Sequence, residues 1–354
     1  MLRYSAIFFT LLLFGCTQQE PQTAGELFGE AQGTTYSIKY YANQEITKAS
    51  VDSILLEIDY SMSTWVDSSM ISKFNNSERG AWVDQRFMDN LNLSFIVNEM
   101  TNGAFNPMIK PIINYWGFGE KKLKVQEIDS TLVASLLGYS QLDSLKIESN
   151  GQLYDLRNIS LSSTKPKEYF VQKHNRKVML DFNAVAQGYS VDVLAQFFES
   201  RGVKSYLIEL GGEMRARGLK PDESEWVVGI DLPQERIERT IAAKINLKDQ
   251  SVATSGNYRK FYEVNGAKFH HTIDPLTGYP AKHNLLSATI VAENCALADA
   301  FATSCMVMGL EKSIDFIERQ SGAIEAHLIF VGDSLELKSY TTKRLKENLE
   351  STVP

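Results

Sequence analysis

Asp299 and Thr303 lie four residues apart in the segment ALADAFATSC, residues 296–305, which has the apolar pattern of a helix. Residues with this spacing share one face of a helix, so a carboxylate and a hydroxyl would be stacked there. Such oxygen ligands suit Mg²⁺, which needs one or two protein carboxylates and takes phosphate oxygens for the rest. A solvent-exposed polar stripe is the alternative interpretation. The opposite side carries the apolar residues expected to face the core: Leu297, Phe301, Cys305 and Met308.

Two of the five histidines stand together in FHHTIDPLTGYP, residues 269–280. In an extended segment His270 and His271 would point in opposite directions, so only one of them could face a given site. Asp274 in the following turn can bond its own backbone and hold the loop rigid. A histidine held in this way could accept a proton from a nucleophile near neutral pH. A surface histidine pair beside a turn is the alternative.

The segment KVMLDFN, residues 177–183, predicts a short strand that leads into a helix over residues 184–202. Asn183 would cap that helix, and the free N–H groups of its first turn could receive a phosphate. Asp181 could orient a polar ligand, although capping alone would also explain both side chains. Gly202 stands where a C-terminal cap belongs. The apolar face of the helix is predicted to contain Val185, Tyr189, Val193 and Phe197, joined by Leu194 and Phe198.

The elements that must position these side chains form an irregular series of strands and helices. Strand-like alternation occurs in TTYSIKYY, KSYLIELGGEMRARG and EWVVGIDLP, and helical periodicity occurs in SVDSILLEIDYSM and RFMDNLNLSFIVNEM. This irregular order favours an α+β fold over a regular βαβ array. No proline-rich or serine-rich linker divides the chain, so a single domain is predicted over residues 27–354.

Composition excludes several classes of function. With 354 residues, 44% of them hydrophobic, the chain can bury a substantial core. The net charge of −7 argues against nonspecific binding to nucleic acid. The glycine-bearing segments do not fit the GxGxxG or P-loop spacing, and no Cys/His spacing fits a zinc site. Cys295 and Cys305 would be about 15 Å apart on one helix, too far for a disulfide, so two buried free thiols are expected.

The first residues have the features of an export signal. Arg3 is followed by the apolar run AIFFTLLLF, which is too short to span a bilayer, and then by Gly15 and Cys16. The LFGC ending resembles a bacterial lipobox, in which Cys16 becomes the lipid-bearing first residue. The prediction is a signal peptide over residues 1–15 and a lipid-anchored tether over residues 16–26, in an exported lipoprotein facing the periplasm. An ordinary signal peptide with an incidental cysteine is the alternative.

Eight blocks, in order, resemble the ApbE family of FAD:protein FMN transferases: GEAQGTTY, MSTW, NGAFNPM, DFNAVAQGYSVD, LGGEMRARG, SVATSGNYRKF, HHTIDPLTGYP and ALADAFAT. The resemblance covers nearly all of the chain after the signal peptide. It implies an α+β fold with two related halves in one compact domain. It also implies a Mg²⁺-dependent enzyme that transfers the FMN half of FAD to a threonine hydroxyl and releases AMP. The acceptors implied are flavoprotein subunits of respiratory electron-transport complexes.

The resemblance assigns roles to particular residues. The metal would be held by the backbone oxygen of Ala184 and by the side chains of Asp299 and Thr303. His271, rather than His270, would be the base or the orienting group for the acceptor threonine. Trp65 is the best flat partner for a flavin or adenine ring. The full set of implied FAD contacts is Gln32, Trp65, Ala104, Phe105, Asn106, Asp181, Gln187 and Thr272.

Three positions depart from the family pattern, which usually has methionine at Gln32, aspartate at Asn106 and lysine at Gln187. Losing that lysine removes a positive charge near the phosphates, although a glutamine amide can still donate a hydrogen bond. Activity is expected to survive, with FAD affinity or acceptor choice more affected. Two other functions stay open at this point: an FAD pyrophosphatase that releases free FMN and AMP, and an exported flavin-binding lipoprotein without catalysis.

Overall fold

The structure, a computed structural model, describes residues 23–120, 127–154, 168–233, 240–257, 261–264 and 267–353. The predicted signal peptide and Cys16 lie outside these residues, as does the side chain of His270. The described helices are α1 (Lys48–Met62), α2 (Met70–Asn76), α3 (Gln85–Met100), α4 (Lys110–Tyr115), α5 (Ser130–Leu137), α6 (Ala186–Ser200), α7 (Cys295–Met308) and α8 (Leu310–Arg319). None of them is long and apolar enough to cross a membrane.

The strands form four sheets, and every strand pairing in them is antiparallel. The described strands are β1 (Thr23–Ala31), β2 (Thr34–Ala42), β3 (Gly80–Val83), β4 (Leu145–Ser149), β5 (Gln152–Tyr154), β6 (Tyr169–Lys173), β7 (Ser205–Leu210), β8 (Glu213–Arg217), β9 (Trp226–Asp231), β10 (Ile241–Leu247), β11 (Gln250–Gly256), β12 (Phe261–Val264), β13 (Ala267–His270), β14 (Leu285–Ala292), β15 (Glu325–Val331), β16 (Leu337–Thr341) and β17 (Leu349–Ser351). The predicted α+β class is confirmed.

The largest sheet has eight strands in the order β1-β2-β7-β8-β11-β14-β15-β16. Successive side chains of a strand point to opposite faces, and both faces of this sheet are covered. On β11, Ala253 faces the core that contains α7, whereas Val252 faces the core shared with β9 and β10. The sheet therefore lies between a helical layer and a smaller sheet, and it presents alternate residues of β8 and β11 to α7.

Most elements predicted from periodicity are present, with one exception. Residues 177–183 are not a strand, although Val178, Leu180 and Phe182 alternate along the segment and are all buried. The side chain of Asn75 takes the place of a neighbouring strand, because its amide accepts from the Leu180 N–H at 2.7 Å and donates to the Leu180 carbonyl at 2.9 Å. The alternation of apolar residues therefore reflects burial in the core, whereas the strand predicted from it is absent.

The first strand of the domain includes residues that the sequence placed before the domain. β1 starts at Thr23, which pairs with Ala42, and the register continues through Glu26 opposite Lys39. Residues 23–26, which the sequence placed in the tether, therefore belong to the edge strand of the large sheet. Their small and polar side chains gave no strand signal, because this end of β1 is exposed and its pairing to β2 is made by backbone groups.

Candidate active site

The helix α7 carries both Asp299 and Thr303, as the spacing predicted. Asn294 caps it and accepts a hydrogen bond from the Leu297 N–H at 3.0 Å. The helix is buried on nearly all sides, and the side chain of Asp299 is only 6% exposed. The interpretation as a solvent-exposed polar stripe is therefore wrong. Both cysteines of this helix are buried free thiols, as expected.

The helices α6 and α7 exchange hydrogen bonds at their N-terminal ends. The Gly188 N–H in the first turn of α6 donates to Asp299 Oδ2 at 3.2 Å. In the other direction, the Asp192 carboxylate on α6 accepts from the N–H groups of Cys295 and Ala296, both at 2.9 Å. Arg215 on β8 donates to Asp192 at 3.0 Å. Each helix thus satisfies otherwise unpaired first-turn donors of the other, and this fixes the position of Asp299.

A close approach between the two helices makes this exchange possible. A Cβ atom on Gly188 would lie 2.4 Å from the carbonyl oxygen of Cys295 and 2.7 Å from its carbonyl carbon. No side chain fits there without moving one backbone, so glycine is required at this position.

The start of α6 differs from the sequence prediction. The N-cap is Val185, which makes no side-chain capping bond, so Asn183 does not cap the helix. Asp181 instead accepts from the Asn183 N–H at 2.8 Å in a turn before the helix. Ala184 lies between this turn and the first turn of α6. The predicted apolar face is confirmed in part: Val185, Leu194 and Phe198 are fully buried, whereas Tyr189, Val193 and Phe197 are only partly buried. The buried Val191 and Ala195 were not among the residues predicted for this face.

Two carboxyl groups share the buried region beside α7. Burial raises the pKa of Asp299 to about 7, while the hydrogen bond from Gly188 opposes this shift. Glu213, at the start of β8, is 7% exposed, and its pKa is raised well above the usual value by burial first and then by the charge of Asp299. Glu213 was not among the residues predicted from the sequence, although its position in the LGGEMRARG block was a usable signal.

The oxygen atoms gathered here fit a hard cation. Thr303 Oγ1 lies 3.2 Å from Ser255 Oγ on β11, which places the hydroxyl on the side of α7 that faces the sheet. The described residues contain no group of three or more His, Cys, Asp or Glu side chains that could hold a metal by themselves. A site with few carboxylates and hydroxyl or carbonyl oxygens suits Mg²⁺, which takes its remaining ligands from phosphate or water.

The loop after β13 is the rigid turn that the sequence predicted. Asp274 Oδ1 accepts from the Leu276 N–H at 2.9 Å, and its carbonyl accepts from the Gly278 N–H at 2.8 Å. The indole N–H of Trp116 donates to the Gly278 carbonyl at 2.7 Å and ties the turn to the end of α4. His271 immediately precedes this turn, so its backbone is held close to a fixed anchor.

The implied FAD contacts near this turn are assembled from several segments. The His271 ring lies edge-on to Phe118, with ring centroids 6.4 Å apart. Thr272 donates to Asn257 Oδ1 at 2.5 Å. The side chain of Leu276 contacts the loop that follows α3, because a Cβ on Gly103 would lie 3.0 Å from it. The turn and the NGAFNPM segment are therefore neighbours.

Within NGAFNPM the side chains have mainly structural partners. Ala104 and Phe105 are buried. Asn106 donates to the Ser140 carbonyl at 2.9 Å and accepts from the Met108 N–H at 2.8 Å. The aspartate usual in the family could accept the second of these bonds and could not donate the first. Asparagine at this position therefore fits the local hydrogen bonding of this chain.

Asp181 belongs to a buried ion-pair group that the sequence did not predict. Lys110 is 2% exposed, and its ammonium lies 3.1 Å from Asp181 and 2.5 Å from Glu120. Burial alone would lower the pKa of Lys110, but the two carboxylates outweigh it and raise the pKa. Lys110 stands in the largely apolar stretch NPMIKPII, where no periodic pattern marks a functional cation.

The remaining predicted contacts lie around the start of α6 and at the surface. Gln32 has a positive φ of 54° in the turn between β1 and β2, and its amide donates to Ser190 Oγ at 2.7 Å. Gln187 Nε2 would lie 2.9 Å from a Cβ on Gly211, which places it beside the turn between β7 and β8. Trp65 follows α1 and is 62% exposed, so its ring is accessible to a ligand.

Comparison with known proteins supplies the context for this geometry. The model of the ApbE family matches residues 32–328. A Haemophilus influenzae protein named FAD:protein FMN transferase is 30% identical over 98% of this chain and 97% of its own length. A Vibrio cholerae protein of the same name is 33% identical over 87% of this chain and 88% of its own.

Solved structures give the same result for the fold. The flavin transferase ApbE from Vibrio cholerae superimposes with a TM-score of 0.76 at 28% identity, covering 93% of this chain and 100% of that one. The apo form of the Pseudomonas stutzeri flavinyl transferase ApbE gives a TM-score of 0.77 at 26% identity, covering 93% of this chain and 97% of that one.

Proposed function

The chain belongs to the ApbE family, and on that premise we propose that it is an FAD:protein FMN transferase. The observation that carries the proposal is the full-length similarity to a protein of that name, with 98% of this chain aligned. The similarity of fold to solved flavin transferases supports it. The substrate is FAD and the acceptor is a protein hydroxyl.

The reaction is a displacement at phosphorus. The hydroxyl oxygen of an acceptor threonine attacks the phosphorus of the FMN half, and the bond from that phosphorus to the bridging oxygen of the pyrophosphate breaks. AMP leaves with the bridging oxygen, and the hydroxyl proton passes to a base. The product is a phosphodiester-linked flavin. Catalysis of this kind depends mainly on positioning and on neutralising phosphate charge.

Mg²⁺ would be held by the side chains of Asp299 and Thr303 and by the backbone oxygen of Ala184. Bound there, it would neutralise the pyrophosphate and stabilise the attacking and departing oxygens. The exchange of hydrogen bonds between α6 and α7 supports this assignment, because it fixes the orientation of the Asp299 carboxylate before substrate binds.

The other predicted residues position FAD and the acceptor. His271, anchored by the turn that follows it, would take the proton of the attacking hydroxyl. Trp65 would stack on a ring of FAD. The buried Lys110 holds Asp181 in place, so Asp181 would act as a fixed hydrogen-bond acceptor for FAD.

We also propose the cellular setting from the N-terminal sequence. A signal peptide over residues 1–15, a lipid on Cys16 and a short tether would anchor the folded domain to a membrane on the periplasmic side. Flavoprotein subunits of respiratory electron-transport complexes are the acceptors that this location would make available. Replacing Cys16 by alanine should move the protein from the membrane fraction to the soluble fraction of cells; unchanged membrane association would contradict the anchor.

The transfer reaction is tested with the full chain in detergent, FAD, Mg²⁺ and a flavin-accepting domain of a respiratory complex. Covalent flavin is read as fluorescence on a denaturing gel, and AMP is measured in the same samples. A fluorescent acceptor band together with AMP establishes the transferase. If AMP forms but no acceptor that is tried becomes fluorescent, the protein is an FAD pyrophosphatase. If FAD binds but is not cleaved, the protein is a flavin-binding lipoprotein.

A further inference from the structure

We propose that Glu213 is a further ligand of the metal site, contributing a carboxylate oxygen to the same cation that Asp299 and Thr303 hold. The inference rests on the proposed function, because it concerns the Mg²⁺ that flavin transfer would use. It adds a residue of β8 to a set otherwise drawn from α7 and the start of α6. The group would bind the cation directly or through one of the waters that Mg²⁺ usually keeps.

The sheet register places Glu213 on the side that faces α7. β8 pairs with β11 so that Met214 lies opposite Val252, and continuing the register sets Glu213 opposite Ala253. Directly opposed residues in an antiparallel pair point to the same face of the sheet, so Glu213 and Ala253 share one face. Ser255, two residues further along β11, points to that face as well. Ser255 is the residue whose hydroxyl contacts Thr303. Glu213 and Thr303 therefore face one region between the sheet and α7.

The turn between β7 and β8 brings the carboxyl group of Glu213 toward the first turn of α6. Gly211 has a positive φ of 69°, and a Cβ there would lie 3.2 Å from Glu213 Oε2 and 2.9 Å from Gln187 Nε2. Gln187 is the residue before Gly188, whose N–H bonds Asp299. The Glu213 and Asp299 carboxyl groups thus approach the same end of α6 from the sheet and from α7.

The charge and hydrogen bonding of this region call for a cation. Glu213 Oε2 is buried and has no hydrogen-bond partner in the structure. Within the described residues, neither Glu213 nor Asp299 forms an ion pair with lysine, arginine or histidine. Two buried carboxylates without a counter-charge are strongly unfavourable, and a divalent cation between them would balance both.

The inference is tested by measuring Mg²⁺ binding to the full chain by calorimetry, without FAD, so that the readout does not depend on activity. Glu213→Gln keeps the shape of the side chain and removes its charge. We expect it to weaken Mg²⁺ binding by about tenfold or more. The melting temperature of the metal-free protein should stay the same or rise, because a neutral amide of the same shape replaces a carboxyl group that is buried without a counter-charge.

Glu209→Gln is the matched control. Glu209 lies on β7 in the same hairpin, and its carboxylate accepts from the Gly212 N–H at 3.0 Å. This variant should change Mg²⁺ affinity by no more than about twofold, the effect of a charge outside the ligand set. Equal affinities of wild type and Glu213→Gln would overturn the role of Glu213 and leave the transferase proposal intact. Absence of Mg²⁺ binding by the wild type, with or without FAD, would overturn the metal site itself.

Discussion

At the scale of single residues, the molecule keeps polar groups in places where they are costly unless something binds them. The Asp299 carboxylate is buried in a helix where its two sequence neighbours are alanines, and it accepts a hydrogen bond from the Gly188 N–H. At the surface the situation is reversed, since Trp65 leaves a large apolar ring in solvent. Both features are expected of a site that is completed by a charged and aromatic substrate such as FAD.

Replacing Trp65 by alanine tests whether its exposed ring binds flavin or adenine. Stacking of an aromatic side chain on a base contributes about 1–3 kcal/mol, so FAD affinity should fall by roughly 5- to 150-fold. The measurement is a titration of FAD followed by its fluorescence. Trp82→Ala is the matched control, because Trp82 is 59% exposed but packs on Phe170 in the small sheet of β3 and β6. Equal losses in the two variants would contradict the assignment.

At the scale of elements, the crossing of α6 and α7 organises the site. Gly188→Ala tests this contact. In an open helix this change stabilises by about 1 kcal/mol. Here the added Cβ meets the Cys295 carbonyl at 2.4 Å, so the clash should dominate and lower the free energy of unfolding by about 1–3 kcal/mol.

The control for this change is Gly229→Ala on β9. The atoms nearest to a Cβ at Gly229 would be side-chain atoms of Ile241, at 3.4 Å or more. Its free energy of unfolding should stay within about 0.5 kcal/mol of wild type, as for most surface substitutions. Both variants are compared by urea unfolding. A Gly188→Ala protein as stable as wild type would show that the two helices can separate without cost.

The strand β15, which lies between β14 and the edge strand β16, gives a pH-dependent prediction. His327 is fully buried, Nδ1 lies 2.8 Å from Thr341 Oγ1, and Nε2 has no partner. Burial lowers the pKa of His327 to about 4. Between pH 6.5 and pH 4, His327 therefore binds a proton in the unfolded chain and stays neutral in the folded chain. Stability present above pH 6.5 is lost as pH falls through this window, by about 3 kcal/mol at most.

The difference in unfolding free energy between wild type and His327→Gln isolates this contribution from the many carboxylates. Wild type should lose more stability than the variant between pH 7 and pH 4, as measured by urea unfolding at each pH. His174→Gln removes an exposed histidine and should leave the wild-type slope unchanged. If the free energy of unfolding changed equally with pH in wild type and His327→Gln, the result would contradict a neutral buried His327.

At the scale of the whole molecule, the sequence predicted what depends on local pattern and missed what depends on distant contacts. Periodicity located the helices α1, α3 and α6 and the strands β2, β7, β8 and β9, and the spacing of Asp299 and Thr303 identified one side of the candidate metal site. The error at residues 177–183 arose because Asn75, about a hundred positions away in the chain, satisfies that backbone.

Residues of the site contributed by distant elements were missed for the same reason. Lys110 is unremarkable in its own segment, and Glu213 is marked only by its place in the LGGEMRARG block; the importance of both depends on a carboxylate or a helix brought close by the fold. The capping of α6 was predicted incorrectly because its first-turn donor is used by α7 rather than by Asn183. The eight sequence blocks, taken in order, identified the family even though the contacts between distant elements could not be predicted.

The central claim is that the site at the junction of α6 and α7 transfers FMN to protein, and one comparison tests it most directly. Covalent flavin on the acceptor and AMP are measured together for wild type, Asp299→Asn and the control Asp315→Asn, whose carboxylate is exposed on α8. Wild type and the control should form equal amounts of AMP and labelled acceptor. Asp299→Asn should lose both by about a hundredfold or more, with its fold intact. Full transfer by Asp299→Asn would contradict the account.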